Sequence, residues 1–168
     1  MVTVLTLASL YAGLALAAPE PSEPITVGES TVTTQVLIQA DPAAIRAALA
    51  DPLTACRLSG DVLSATVLEK EGDCTILRIT TRGLSAPLTY TTRRCPTTDG
   101  FRETLVTTND FDSQASSWKL TPVTGGTVVT LAVRSEPRLP LPQRMINAAV
   151  GSSAVQTLRN LVHRVTGR

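Results

Sequence analysis

The stretch LPLPQRMINAAVGSSAVQTLRNLVHRV, residues 139–165, decides the fold of this chain. Apolar and small residues recur in it at spacings of three and four, which places them on one face of a helix. These residues are Ile146, Val150, Ser153, Ala154, Leu158, Leu161, Val162 and Val165. Pro142 suits the first helical turn, and Gly167 suits a left-handed cap just past the last one. Upstream segments have the pattern of short strands, so we predict a long C-terminal helix that packs against a sheet.

The N-terminus has the pattern of an export signal. Residues 1–18 carry no charged side chain, and Ala15-Leu16-Ala17 supplies the small residues that a signal peptidase requires. We predict a signal peptide at residues 1–17 and a periplasmic or extracellular location after cleavage. No Lys or Arg marks the segment's start, so the alternative is a membrane anchor formed by residues 2–18. Residues 18–29 are rich in Pro and Glu and are expected to be a flexible lead-in to a domain at 30–168.

Composition narrows the classes of partner. A chain of 168 residues with a leader has room for one domain. All charged residues lie beyond the leader, so the exported domain keeps the net charge of +1. A nucleic-acid partner would require a basic excess, and we therefore expect none.

Alternating residues and turn signals predict seven strands. The first is Thr31 to Ile38. Asp41-Pro42 and Asp51-Pro52 then each begin a short helix, the first ending at Leu49 and the second by about Leu58. The other six strands form an antiparallel meander of segments 62–69, 74–82, 87–95, 101–108, 114–120 and 127–134.

One hairpin of this meander predicts a disulfide. If Leu84 and Ser85 are the central turn residues, the numbers of opposed residues sum to 169, so Cys74 faces Cys95. We predict that bridge on the convex face of the sheet, with Cys56 free. A register slip of one residue would exchange the faces. Three reduced thiols, or a bridge that uses Cys56, remain the alternatives.

The order of these elements resembles the START-like helix-grip (SRPBCC) superfamily. Local similarities are ADPAAI at 40–45, SWKLTP at 117–122 before Gly125-Gly126, and LPLP at 139–142. The superfamily includes lipid-transfer START domains, polyketide cyclases and birch-pollen-allergen-like proteins. The resemblance implies an α+β fold in which a curved seven-stranded antiparallel sheet wraps the C-terminal helix. It also implies a cavity between the two for an apolar ligand.

The inward residues of the sheet and helix would line such a cavity. By alternation and helical spacing, the candidate ligand-binding residues are Leu77, Ile79, Leu88, Tyr90, Leu105, Trp118, Leu120, Leu131, Met145, Ile146, Ala149 and Ser153. For any single one of them, ordinary core packing is the more common explanation. Small residues in the middle of the helix and few aromatic residues favour a cavity, and Gly151 suggests that a neighbour approaches closely.

The sequence offers little for catalysis. His163, the single histidine, falls near the helix end, where a solvated residue is expected. We find no metal-ligand set, cofactor motif or nucleophile motif and name no catalytic residue. Arg78, Arg82, Arg93 and Arg94 are expected on a solvated convex face, and a transient membrane contact is left open.

We therefore predict a monomeric binding or transfer protein for a small hydrophobic molecule, such as a lipid. The alternatives are a cyclase- or hydrolase-like enzyme on the same fold and an interaction domain with a filled core.

Overall fold

The computed structural model describes residues 18–167, which form an antiparallel sheet and three helices. The elements are β1 (Ile25–Val27), β2 (Thr31–Ile38), α1 (Pro42–Ala50), α2 (Pro52–Leu58), β3 (Val62–Glu71), β4 (Cys74–Thr81), β5 (Leu88–Thr97), β6 (Gly100–Thr108), β7 (Phe111–Val123), β8 (Gly126–Pro137) and α3 (Gln143–Thr166). The strand order across the sheet is β1-β2-β8-β7-β6-β5-β4-β3. This arrangement confirms the predicted helix-grip fold, with one strand more than expected.

The additional strand, β1, lies in the segment that was expected to be a flexible lead-in. β1 pairs with β2, and the residues before it also contact the domain. Ser22 N–H donates to the carbonyl of Gln35 at 2.7 Å, and Thr34 Oγ1 donates to the carbonyl of Ser22 at 2.7 Å. The prolines of this lead-in segment do not prevent the contact, because neighbouring residues form the hydrogen bonds that hold the segment against β2. The predicted signal peptide lies outside the described residues.

The two short helices begin where the Asp-Pro pairs predict. Asp51 caps α2, its Oδ2 accepting a hydrogen bond from Thr54 N–H at 2.8 Å. Asp41 occupies the equivalent position before α1, but its side chain makes no capping hydrogen bond. Arg46 of α1 donates to the carbonyls of Thr97, Thr98 and Gly100 in the β5–β6 turn. These bonds fix α1 against one end of the sheet.

The long helix α3 has a different environment at each end. Its C-terminal half packs into a solid core, in which Leu158, Leu161 and Val162 meet side chains of β2, β8 and the two short helices. Gly167 ends the helix with φ 69°, and its N–H donates to the carbonyl of His163 at 2.9 Å. The N-terminal half carries small residues at 148–149 and 151–154. No helix among residues 18–167 is long and apolar enough to span a membrane.

The hairpin of β4 and β5 has the predicted register. Thr75 pairs with Arg94, and Ile79 pairs with Tyr90, so the numbers of opposed residues sum to 169. Cys74 and Cys95 form a disulfide across it, with Cα atoms 4.2 Å apart, and Cys56 is free and buried. Because the register is correct, Leu77 and Ile79 are buried on the inner face.

Candidate functional site

A cavity of about 510 Å³ lies between the inner face of the sheet and the N-terminal half of α3. Strands β4 to β8 form one wall, and α3 forms the other with α2 at one end. The cavity is present because α3 carries the small residues Ala149, Ser153 and Ala154 here, where the C-terminal half of the same helix carries leucines that fill the core.

Eight of the twelve predicted ligand-binding residues line this cavity. They are Ile79, Leu88, Tyr90, Trp118, Leu131, Ile146, Ala149 and Ser153. They come from four strands and from α3, so the alternation of the strands and the helical spacing identified the right faces. Their contact with a ligand stays a prediction.

The other four predicted residues lie elsewhere. Leu77 and Leu120 are buried in the cores beyond the cavity, and Leu105 is half-buried outside its wall. Met145 is 50% exposed on the outer side of α3. Its neighbour Ile146 points inward, and consecutive helical residues point about 100° apart because a turn contains ~3.6 residues.

The cavity wall also contains a carboxylate that the sequence analysis missed. Glu103 of β6 lines the cavity, and its Oε1 forms an ion pair with Arg94 of β5. Ser116 donates to Glu103 Oε2 at 3.0 Å. Arg94 also donates to the carbonyl of Leu49 at 2.8 Å, and its guanidinium lies 4.4 Å from the centroid of the Phe101 ring.

Arg94 was expected on the convex face together with Arg78, Arg82 and Arg93, and for Arg94 that expectation is wrong. The side chain of Arg94 is 3% exposed, whereas the other three residues are exposed. Adjacent residues of a strand face opposite sides, so Arg93 and Arg94 cannot both point outward. The predicted register places Arg94 on the same face of β5 as Tyr90, so the sequence already indicated that Arg94 points inward.

Two further titratable groups of the wall are held in their neutral forms. Burial, reinforced by the negative charge of Glu103, raises the pKa of Tyr90 above that of an ordinary phenol. The same two causes raise the pKa of the Cys56 thiol to about 12. At neutral pH the cavity therefore presents a phenol and a thiol, neither of which is an activated nucleophile.

The cavity opens to solvent between loops. Gly60 and Asp61 border it from the α2–β3 connection, Arg82 and Leu84 from the β4–β5 connection, and Leu139 from the segment before α3. Leu84 is 56% exposed at this rim. An apolar molecule could enter there without crossing the solid core.

The described residues offer no metal site, since residues 18–167 contain no group of His, Cys, Asp and Glu side chains arranged to hold an ion. The arrangement is suited instead to enclosing an apolar molecule, with polar contacts at a few positions of the wall.

Comparison with known families agrees with this geometry. The family model described as polyketide cyclase / dehydrase and lipid transport matches residues 29–166. The chain belongs to this family. Its members bind small hydrophobic ligands or act as polyketide cyclases on the START fold. No curated protein matches the sequence significantly.

Solved structures share the fold at low sequence identity. A START superfamily protein from Mycobacterium smegmatis has a TM-score of 0.72 and 17% identity, covering 82% of this chain and 98% of its own. A protein from Thermus thermophilus has a TM-score of 0.71 and 21% identity, and the match covers 82% of this chain and 97% of that protein. The Zhui aromatase/cyclase from Streptomyces sp. R1128 has a TM-score of 0.70 and 16% identity, and the match covers 81% of this chain and 93% of that enzyme.

Proposed function

We propose that this family member is exported and binds or transfers a small hydrophobic molecule, in the first place a lipid, without chemical conversion. The observation that carries the proposal is the cavity of about 510 Å³ between the sheet and α3. Ligand pockets in proteins have volumes of roughly 300–1,000 Å³ and predominantly apolar walls. A cavity of this size argues against an interaction domain with a filled core.

Export and cleavage after Ala17 are part of the proposal. The uncharged leader and its small residues support them. A disulfide between Cys74 and Cys95 is also consistent with an oxidising compartment. N-terminal sequencing of the protein from its own host would test this part, with Ala18 expected as the first residue and an uncleaved leader contradicting it.

A polyketide cyclase is the second candidate, and the carboxylate of Glu103 in the cavity favours it. Glu103 could act as a general base toward a bound poly-β-ketone. However, both of its oxygens already accept hydrogen bonds, one from Arg94 and one from Ser116. Because these bonds engage both oxygens with protein groups, binding without chemistry is the better-supported function.

The experiment that tests the binding proposal uses the neutral fluorescent probe N-phenyl-1-naphthylamine. Trp118 is the single tryptophan and lies in the cavity wall, so a bound probe should quench its emission by energy transfer. We expect saturable binding of one probe per protein and displacement by long-chain lipids. Binding that does not saturate, or that leaves Trp118 emission unchanged, would contradict the proposal.

The enzymatic candidate is tested separately with a linear poly-β-keto thioester. Mass spectrometry of the reaction should show unchanged thioester if the protein only binds. Formation of a cyclised or dehydrated product by the wild-type protein, and its loss in Glu103→Gln, would establish the cyclase function instead.

A further inference from the structure

Two hydrogen-bond donors of the cavity wall have no partner within the described protein. Tyr90 and Trp118 both line the cavity, and neither side chain makes a hydrogen bond among residues 18–167. Among the side chains of this range that are not exposed, only Arg94 Nε and Gln114 Oε1 are inaccessible polar atoms without a hydrogen-bond partner. Tyr90 Oη and Trp118 Nε1 therefore keep accessible surface. Since both side chains belong to the cavity wall, a molecule in the cavity can reach these two atoms.

The two donors lie far apart along the cavity. The ring of Tyr90 packs edge-on against the ring of Phe111, with their centroids 5.2 Å apart. Phe111 and Trp118 are seven residues apart on β7, which corresponds to roughly 20 Å of extended strand. A single small polar group of a ligand therefore cannot bond to both donors.

Tyr90 is the donor at the end of the cavity that opens to solvent. It pairs with Ile79 in the β4–β5 hairpin, next to the rim residues Arg82 and Leu84 that follow β4. Trp118 lies at the closed end, where it is part of the solid core that includes the C-terminal half of α3. A polar group would lose its hydration at the closed end. We therefore expect an apolar tail near Trp118 and the polar group of the ligand near Tyr90.

The phenol of Tyr90 is available as a hydrogen-bond donor at neutral pH. Burial, reinforced by the negative charge of Glu103, raises the pKa of Tyr90, so the phenol stays protonated. A protonated phenol donates through its O–H, and a carbonyl oxygen is a matching acceptor.

The charged residues of the cavity wall are balanced in sign. They are Asp61, Arg82 and Glu103. Glu103 forms an ion pair with Arg94, so this pair adds no net charge beside Tyr90. Arg82 is exposed at the rim and adjoins the oppositely charged Asp61, to whose carbonyl its N–H donates at 2.7 Å. Burial of a carboxylate without a paired cation costs far more than burial of a neutral carbonyl, so a neutral acceptor suits Tyr90 better.

We propose that the ligand is an uncharged lipid with a carbonyl oxygen, which accepts a hydrogen bond from Tyr90 Oη. This inference rests on the proposed binding function and specifies its ligand class. An ester or a ketone provides such an oxygen, a hydrocarbon provides none, and a free fatty acid is charged at neutral pH. The apolar wall between Tyr90 and Trp118 encloses the tail of the molecule.

Four probes with the same eleven-carbon tail test this ligand class: 2-tridecanone, methyl dodecanoate, 2-methyl-1-tridecene and dodecanoate. The ketone and the ester carry a neutral carbonyl group. The alkene has a methylene group in place of the ketone oxygen, and dodecanoate is anionic. Displacement of N-phenyl-1-naphthylamine measures the affinity of each probe.

Tyr90→Phe removes the hydroxyl group and keeps the ring. We expect the affinities for the ketone and the ester to fall roughly five- to tenfold, the effect of one hydrogen bond, and the affinity for the alkene to stay unchanged. Dodecanoate should bind the wild-type protein more weakly than the ester. Ser152→Ala is the matched control and should leave all four affinities unchanged. Ser152 also lines the cavity, but its Oγ already donates to the carbonyl of Ala148 at 3.1 Å.

The infrared carbonyl stretch of bound 2-tridecanone gives a second readout, which needs no variant. A hydrogen bond from Tyr90 shifts this band to a lower wavenumber than that of the ketone in an alkane solvent. If Tyr90→Phe fails to fold, as judged by circular dichroism, the spectrum of the wild-type complex decides.

The outcomes separate this inference from the binding function. Unchanged ketone affinity in Tyr90→Phe, equal losses for ketone and alkene, or an unshifted carbonyl band would overturn the carbonyl proposal while hydrophobic binding stands. Tighter binding of dodecanoate than of the ester would overturn it as well. Failure of all four probes to bind would overturn both proposals.

Discussion

Gly151 of α3 lies against Pro24 of the segment that precedes β1. A Cβ atom added to Gly151 would lie 2.9 Å from Pro24 Cγ and 3.0 Å from Pro24 Cβ. The glycine in the middle of this helix is therefore explained by the crossing N-terminal segment. The same segment is also tied to α3 by an ion pair, in which Arg159 Nε lies 2.9 Å from Glu20 Oε2.

This contact predicts that Gly151→Leu destabilises the protein. Overpacking at such a site costs about 1–3 kcal/mol, which exceeds the gain of roughly 1 kcal/mol from replacing a helical glycine. Urea unfolding measures the change. Ala148→Leu, on the exposed side of α3, is the control and should cost little. In a Pro24→Gly background the loss should largely disappear, and an equal loss in both backgrounds would contradict the contact.

The disulfide predicts a specific pattern of thiols. Peptide mapping of the non-reduced protein from its own host should recover Cys74 linked to Cys95, and only Cys56 should react with an alkylating agent after unfolding. Replacing both bridged cysteines by serine should lower the free energy of unfolding by about 2–4 kcal/mol, the usual effect of closing a loop of this size. Recovery of Cys56 in a bridge would show that the assignment is wrong.

The ion pair of Arg94 and Glu103 predicts a large effect from removing one partner. Arg94→Met leaves a half-buried carboxylate without its cation and should cost about 3–5 kcal/mol. Adding Glu103→Leu should restore much of that loss. The exposed pair Arg138–Asp112 is the control, since surface pairs contribute about 0–1 kcal/mol. Additive losses in the double variant would contradict a direct coupling.

The raised pKa of Cys56 predicts that its thiol resists alkylation in the folded protein. The neutral form is favoured below a pKa of about 12, so the reactive thiolate is scarce at pH 8. Since the Cys56 pKa is higher in the folded protein, this thiol's contribution to the free energy of unfolding is fully present below the pKa of the unfolded state. That contribution is lost as the pH rises toward 12. Iodoacetamide labelling followed by mass spectrometry should therefore be slow at pH 8 and rise steeply in mild denaturant. Rapid labelling without denaturant would contradict the burial.

The fold was predictable because its signals are local and repeated. The Asp-Pro pairs mark the starts of both short helices. Alternation about Leu84 and Ser85 predicted the β4–β5 register, although residues 82–87 form a longer connection than the two-residue turn that was assumed. The strand β1 was missed because its short segment follows a run of prolines and glutamates. Its pairing depends on the neighbouring β2, which sequence composition does not report.

For the site, the sequence predicted only which faces of the strands and of α3 point inward. Alternation identified Ile79, Tyr90 and Trp118 as inward, but it could not tell which inward residues line a cavity and which fill a core. Leu120 was assigned to the cavity and lies in the core, because α1 and α2 cover that end of the sheet. Glu103 went unnoticed because a charged residue in a strand usually faces solvent, although its parity with Phe101 placed it inside.

Native mass spectrometry of the protein purified from its own host tests the central claim most directly. We expect the wild-type protein to carry one co-purified hydrophobic molecule, released on denaturation. Ala149→Phe places a ring in the cavity and should abolish the adduct, while Ala148→Phe, one residue away on the exposed side of α3, should retain it. An adduct that persists in Ala149→Phe, or a wild-type protein that carries none and binds none when lipids are added, would contradict the account.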